Sequence, residues 1–242
     1  MRVALSMSGW GPSTYRYTLD PTEYYLTPPA RRGLRFSREE YKHILLACGA
    51  LIFAFSMSLL GFFFRPVAPS TREIVLVVTG STVAVLTGFL LHELMHKVLA
   101  QRYGAWAEFR SNRMGLLFAV VTGFFGIVFA APGAVYIAGS LNPRQNGQVS
   151  LAGPMTNLAL GTGFLGASLA LGTPTSDALA YLQGIFILVA YINVFLGGFN
   201  LLPVPPLDGS KVFRWNIGIW AAALAATVAV FAVGWWLGVF FV

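Results

Sequence analysis

The chain has 242 residues, 56% of them hydrophobic and only 10% charged, with a mean hydropathy of +0.69, whereas an ordinary soluble domain carries roughly 25% charge. These figures exclude a soluble globular domain and point to an integral membrane protein. A single cysteine, Cys48, excludes an intramolecular disulfide framework, and the net charge of +7 suggests a nucleic-acid partner only until the basic residues are placed.

Residues 1–43 are polar, basic and rich in aromatic residues, with no apolar run that would serve as a signal peptide. They read as a cytoplasmic extension ahead of a membrane-embedded domain over 44–242, and within them the tyrosines and prolines of 15–29 read as an aromatic interface segment. Uncharged apolar stretches then follow at 44–64, 74–91, 114–143, 149–172, 178–207 and 215–242. Each is near or above the roughly 20 helical residues that cross about 30 Å of hydrocarbon. The third stretch carries Gly115, Gly123, Gly126, Gly133, Gly139 and Pro132 among β-branched residues. That composition predicts strands, a hairpin or a re-entrant loop rather than a straight crossing helix. With this stretch re-entrant and the N-terminus inside, every Lys and Arg except Arg65 and Arg72 falls on the cytoplasmic side, as the positive-inside rule requires. If the stretch crossed, Lys211 and Arg214 would move outside. The expected fold is an all-α polytopic membrane protein of five to six transmembrane helices with a small membrane-associated β-rich re-entrant segment. Orientation accounts for the positive charge, so the expected partner is a lipid bilayer and not nucleic acid.

The second stretch runs into Leu91-His92-Glu93-Leu94-Met95-His96, an H-E-x-x-H. On a helix the i, i+4 spacing stacks both imidazoles on one face, within reach of one zinc ion, and leaves Glu93 placed to act as general base on an activated water. The chain has three histidines, and two of them sit here at the end of a membrane span, where ionisable side chains are costly and functional by default. A third ligand has several candidates. His43, at the start of the first span, reads as interfacial. Glu108 sits beside Arg110 in what reads as a charged loop, and Asp177 falls in a short loop on the opposite side of the membrane. Asp208 is level with the histidines, because the second and fourth crossing helices run in the same direction. Around it the sequence is Asn200-Leu201-Leu202-Pro203-Val204-Pro205-Pro206-Leu207-Asp208-Gly209. The prolines stop the helix and leave an extended segment able to bend a carboxylate inward.

H-E-x-x-H on one helix followed by N-x-x-P-x-P-P-L-D-G on a later one resembles the site-2 protease family of intramembrane zinc metalloproteases, over a core of about 74–209. The resemblance implies His92, His96 and Asp208 as zinc ligands and Glu93 as catalytic base. It also implies a single-pass membrane protein as substrate and hydrolysis within or near its transmembrane segment. Leu151-Ala152-Gly153-Pro154-Met155-Thr156-Asn157 is similar to the family's third core-helix motif, which makes Asn157, together with Asn200, a candidate for the substrate carbonyl or oxyanion. The segment 124–139 is similar to the family's membrane-associated β-structure and would hold an unwound substrate strand by edge addition. No segment resembles a PDZ or CBS domain, and Gly209-Ser210 replaces the frequent Gly-Gly. A compact protease of a prokaryotic cytoplasmic membrane, N-terminus inside, is the resulting expectation. Two other classes stay open: an ion or metal transporter, for which buried His, Glu and Asp would line a pathway, and a non-proteolytic membrane binding protein that keeps the fold.

Overall fold

The computed structural model describes residues 34–61 and 63–240; the aromatic segment 15–29 lies outside the described residues. The polypeptide forms helices α1 (Arg38–Leu60) and α2 (Thr71–Val85), a π-helical segment (Leu86–Leu90), helix α3 (Leu91–Arg102), strand β1 (Trp106–Ser111), helix α4 (Arg113–Phe124), strand β2 (Gly133–Ala138), and helices α5 (Pro143–Ala170), α6 (Asp177–Asn200), α7 (Asp208–Trp215) and α8 (Ile217–Trp236).

Local chemistry explains most of the helix starts. Ser37 accepts from the Glu40 amide, and Ser70 with Glu73, and Asn142 with Gln145, form reciprocal capping boxes. Asn112, Ser176 and Asn216 cap α4, α6 and α8. Among the described residues, four helices are long and apolar enough to cross a membrane: Arg38–Leu60, Thr71–Arg102, Asp177–Asn200 and Ile217–Trp236. The protein is an integral membrane protein, mostly helical. The 28-residue α5 is long enough to span but is the most polar of the long helices, with Arg144, Gln145, Asn146, Gln148 and Ser150 in its first turns. It can be so because it packs against α3, α6, α7 and α8, where protein rather than lipid surrounds its polar groups.

The glycine-rich third stretch does not form one continuous helix. Its first part is the 12-residue α4, a length of about 18 Å, too short to cross; the chain then turns at Gly126, runs extended, and enters β2. The helix forms despite its glycines because Gly115 and Gly123 are close-approach positions. A Cβ at Gly123 would stand 2.6 Å from the Ala54 carbonyl oxygen on α1. The partner of β2 is β1, antiparallel with Phe109 opposite Val135. Glu108, expected in a loop, is therefore in a strand; its side chain is largely buried, taking a hydrogen bond from Ser37 at 3.2 Å and pairing with Arg110 at 2.5 Å.

One core cluster joins α1, the end of α2, the π segment, β1 and α4 through Leu51, Val85, Phe89, Phe109 and Leu116. A second packs α2 on α6 through Ala84, Leu188, Val189 and Ile192. Between α1, α3 and β1 lies an ion pair of two fully buried side chains, Glu40 and Lys97. Glu40 Oε1 also accepts the Phe109 amide at 3.0 Å, and His43 Nδ1 accepts the Ser111 amide at 3.2 Å. The outward edge of β1 is thus capped by side chains of α1. Because antiparallel pairing alternates, Gly133, Val135 and Ile137 turn their backbone groups away from β1, on the other edge of the sheet.

Candidate metal centre

α3 carries His92 and His96 one turn apart with their rings 4.7 Å centroid to centroid, both buried. α6 ends at Asn200, the Pro-rich segment bends back, and Asp208 opens α7. The two ends meet: Asp208 Oδ2 stands 3.3 Å from His92 Nε2 and 3.0 Å from His96 Nε2.

The outer nitrogens fix the tautomers. His96 Nδ1 is 2.7 Å from the Val149 carbonyl, which can only accept, so this nitrogen carries the hydrogen and Nε2 presents its lone pair. His92 Nδ1 is 3.0 Å from Asn157 Oδ1, while Asn157 Nδ2 donates to the Gly88 carbonyl at 2.9 Å. Gly88 lies in the π-helical segment, where the widened turn leaves carbonyls in search of donors. Asn157 therefore satisfies a backbone irregularity and orients a ring at once. It is fully buried and does not line the cavity in front of the histidines, so the expected contact with a substrate oxygen is not its place in this fold: both ends of its amide are engaged elsewhere.

That cavity measures about 330 Å³ and is lined mainly by apolar side chains of α1, α6 and the 127–137 segment. Glu93, Asn200 and Lys211 are among its polar lining, and Val135 of β2 lines the same cavity. Asn200 is half-buried, with Nδ2 donating to the Leu196 carbonyl at 3.0 Å. His43 bonds Ser111, and Asp177 pairs with Arg72 at 3.1 Å with 88% of its side chain exposed; neither approaches the histidines.

Gly153 is a site residue whose role the sequence does not disclose. A Cβ on it would stand 2.5 Å from His92 Nε2 and 2.6 Å from His96 Nε2. α5 can approach the imidazoles only because this position has no side chain.

Two imidazole nitrogens and one carboxylate oxygen, all buried and within 4.8 Å of one another, are a donor set that suits zinc with three protein ligands and one open position. Set in α3 and at the start of α7, beside a further carboxylate and facing an apolar cavity, they form a candidate metal centre in an integral membrane protein. Residues 80–240 match the sequence profile of Peptidase family M50, and the chain belongs to that family. It is a metalloprotease, with a donor set in His92, His96 and Asp208 that suits zinc. The chain is similar to the candidate zinc metalloprotease MJ0611 of Methanocaldococcus jannaschii, 42% identical over 189 residues, covering 77% of this chain and 90% of that protein. It is also similar to Rip3 of Mycobacterium tuberculosis, 33% identical over 135 residues, which cover 56% of this chain but 30% of Rip3. YwhC of Bacillus subtilis is 31% identical over 150 residues, covering 54% of this chain and 66% of that protein. No solved structure gives a significant match.

Proposed function

We propose that this protein hydrolyses peptide bonds within or near transmembrane segments of single-pass membrane proteins, with His92, His96 and Asp208 holding zinc and Glu93 serving as general base. The observation that carries the reading is a single juxtaposition. Glu93 and Val135 of β2 line the same apolar cavity, which His92, His96 and Asp208 also line.

Zinc bound by these residues supplies an activated water and polarises the scissile carbonyl. The remaining steps belong to the chain. A helical substrate hides its carbonyls in i to i−4 hydrogen bonds and has to unwind before attack. The outward edge of β2 provides backbone partners for the unwound strand at Gly133 and Ile137. Asn200, which lines the cavity at the end of α6, donates the second hydrogen of its amide to a substrate carbonyl. Glu93 takes the proton of the attacking water and returns it to the leaving amine. Asn157 and the Val149 carbonyl keep the two imidazoles in the tautomer that leaves Nε2 free.

The test uses purified protein in liposomes with a single-pass substrate bearing a helix-weakening glycine in its span. Cleavage by the wild type, absent in Glu93→Gln at unchanged zinc content, supports the reading. A wild type that holds zinc and cleaves only soluble peptides overturns the membrane substrate, and a Glu93→Gln variant that cleaves at the wild-type rate overturns the base.

A further inference from the structure

Lys211 follows Asp208 by one turn of α7, and its Nζ stands 3.3 Å from Asp208 Oδ1. The other oxygen, Oδ2, is the one both imidazoles converge on. The carboxylate is therefore divided, one oxygen facing the histidines and the other a cation. Among the described residues lining the cavity, Lys211 is the only Lys or Arg.

The spacing is fixed by the way α7 is anchored. Ser210 Oγ donates to the Leu207 carbonyl at 2.8 Å, Arg214 Nε to the Ser210 carbonyl at 3.0 Å, and Trp220 Nε1 to the Leu201 carbonyl at 2.7 Å. A Cβ on Gly209 would overlap the Leu201 carbonyl, so the start of α7 lies directly against the end of α6.

As a source of stability an i, i+3 pair with the lysine 41% exposed is worth little. Its chemical consequence is different. A carboxylate can engage a metal through one oxygen or through both. Catalytic zinc needs three protein ligand atoms and an open position for water, and a second oxygen from Asp208 would compete for that position.

We infer that Lys211 is a positioning residue that keeps Asp208 a one-oxygen ligand, holding Oδ1 away from the metal and the remaining coordination position open. This rests on the reading of Asp208 as a zinc ligand. An apolar side chain at 211 would leave Oδ1 without its donor and free to rotate toward the metal. Arginine, with a charge that can reach the same oxygen, would preserve the division.

Cobalt(II), exchanged for zinc in the full-length protein, reads the coordination directly, since its visible d–d bands are strong in four-coordinate sites and weaken when a ligand is added. Wild type is expected to give the strong bands, Lys211→Met to lose intensity, and Lys211→Arg to restore it. In parallel, kcat for a peptide substrate is expected to fall about tenfold or more in Lys211→Met with KM unchanged, the effect expected of losing a residue that orients a ligand. Should Lys211→Met not accumulate as folded protein, Lys211→Gln undergoes the same comparison. A wild-type spectrum and kcat in these neutral variants overturn the inference. A wild-type spectrum in Asp208→Ala instead overturns the ligand assignment beneath it, and the two failures are separately visible.

Discussion

Asn157 Oδ1 lies 3.0 Å from His92 Nδ1 across 65 residues of sequence. The same amide donates to Gly88 in the π-helical segment just ahead of His92. One side chain therefore ties the ring, the irregular turn that precedes it and α5 together. Replacing Asn157 with Leu should leave the helices intact by circular dichroism but weaken zinc retention or activity by roughly tenfold to a hundredfold, the range for lost partners of metal-binding histidines. Zinc competition against a chelator measures it.

Glu93→Gln should retain zinc by elemental analysis and lose catalysis by about a hundredfold or more, because the amide cannot take a proton. Asp208→Ala should lose zinc as well as activity.

Gly153→Ala adds one methyl group where the two Nε2 atoms converge. The rings cannot both stay, and the expected outcome is folded protein with less than stoichiometric zinc. Alanine at Gly163, where a Cβ would meet nothing within 4 Å, is the matched control and should bind zinc normally.

Lys97→Met strands the Glu40 carboxylate in a fully buried position, since both partners are excluded from solvent. Removing one member of a buried pair costs roughly 3–5 kcal/mol. The double variant Glu40→Gln, Lys97→Met removes both charges while leaving an acceptor for the Phe109 amide, and should recover most of that loss. Thermal unfolding in one detergent compares the three proteins.

Chelation of the wild type should abolish cleavage, and zinc should restore it without refolding. An ion pathway would continue to conduct in liposomes after chelation, so flux measured beside proteolysis separates these two behaviours.

Much of this was legible in the sequence where local chemistry governs. The H-E-x-x-H spacing required two imidazoles on one helix face, and helix direction with the proline bend put Asp208 level with them, while the grouping of the three as ligands was implied by the family resemblance. The break in the third stretch was legible from its glycines, but α4 was not, because Gly115 and Gly123 act there through close contact with Ala131 and Ala54 rather than as helix breakers. β1 was read as loop because Glu108 and Arg110 mask its alternation; their charges are met by Ser37 and by each other, a tertiary circumstance. The same is true of Gly153, whose meaning depends on α3 packing across α5, and of the Glu40–Lys97 pair, whose members are 57 residues apart. Asn157 stood out in the sequence as a substrate contact, but its partners here, His92 and Gly88, depend on the π turn.

The capping of β1 by Glu40 and His43 has a consequence for life in a crowded bilayer. A two-stranded sheet normally offers two unpaired borders, and either can recruit a neighbouring chain into an aggregate. Here one border is consumed within the protomer and residues of the other line the cavity, so this sheet offers neither border to copies of the protein diffusing side by side.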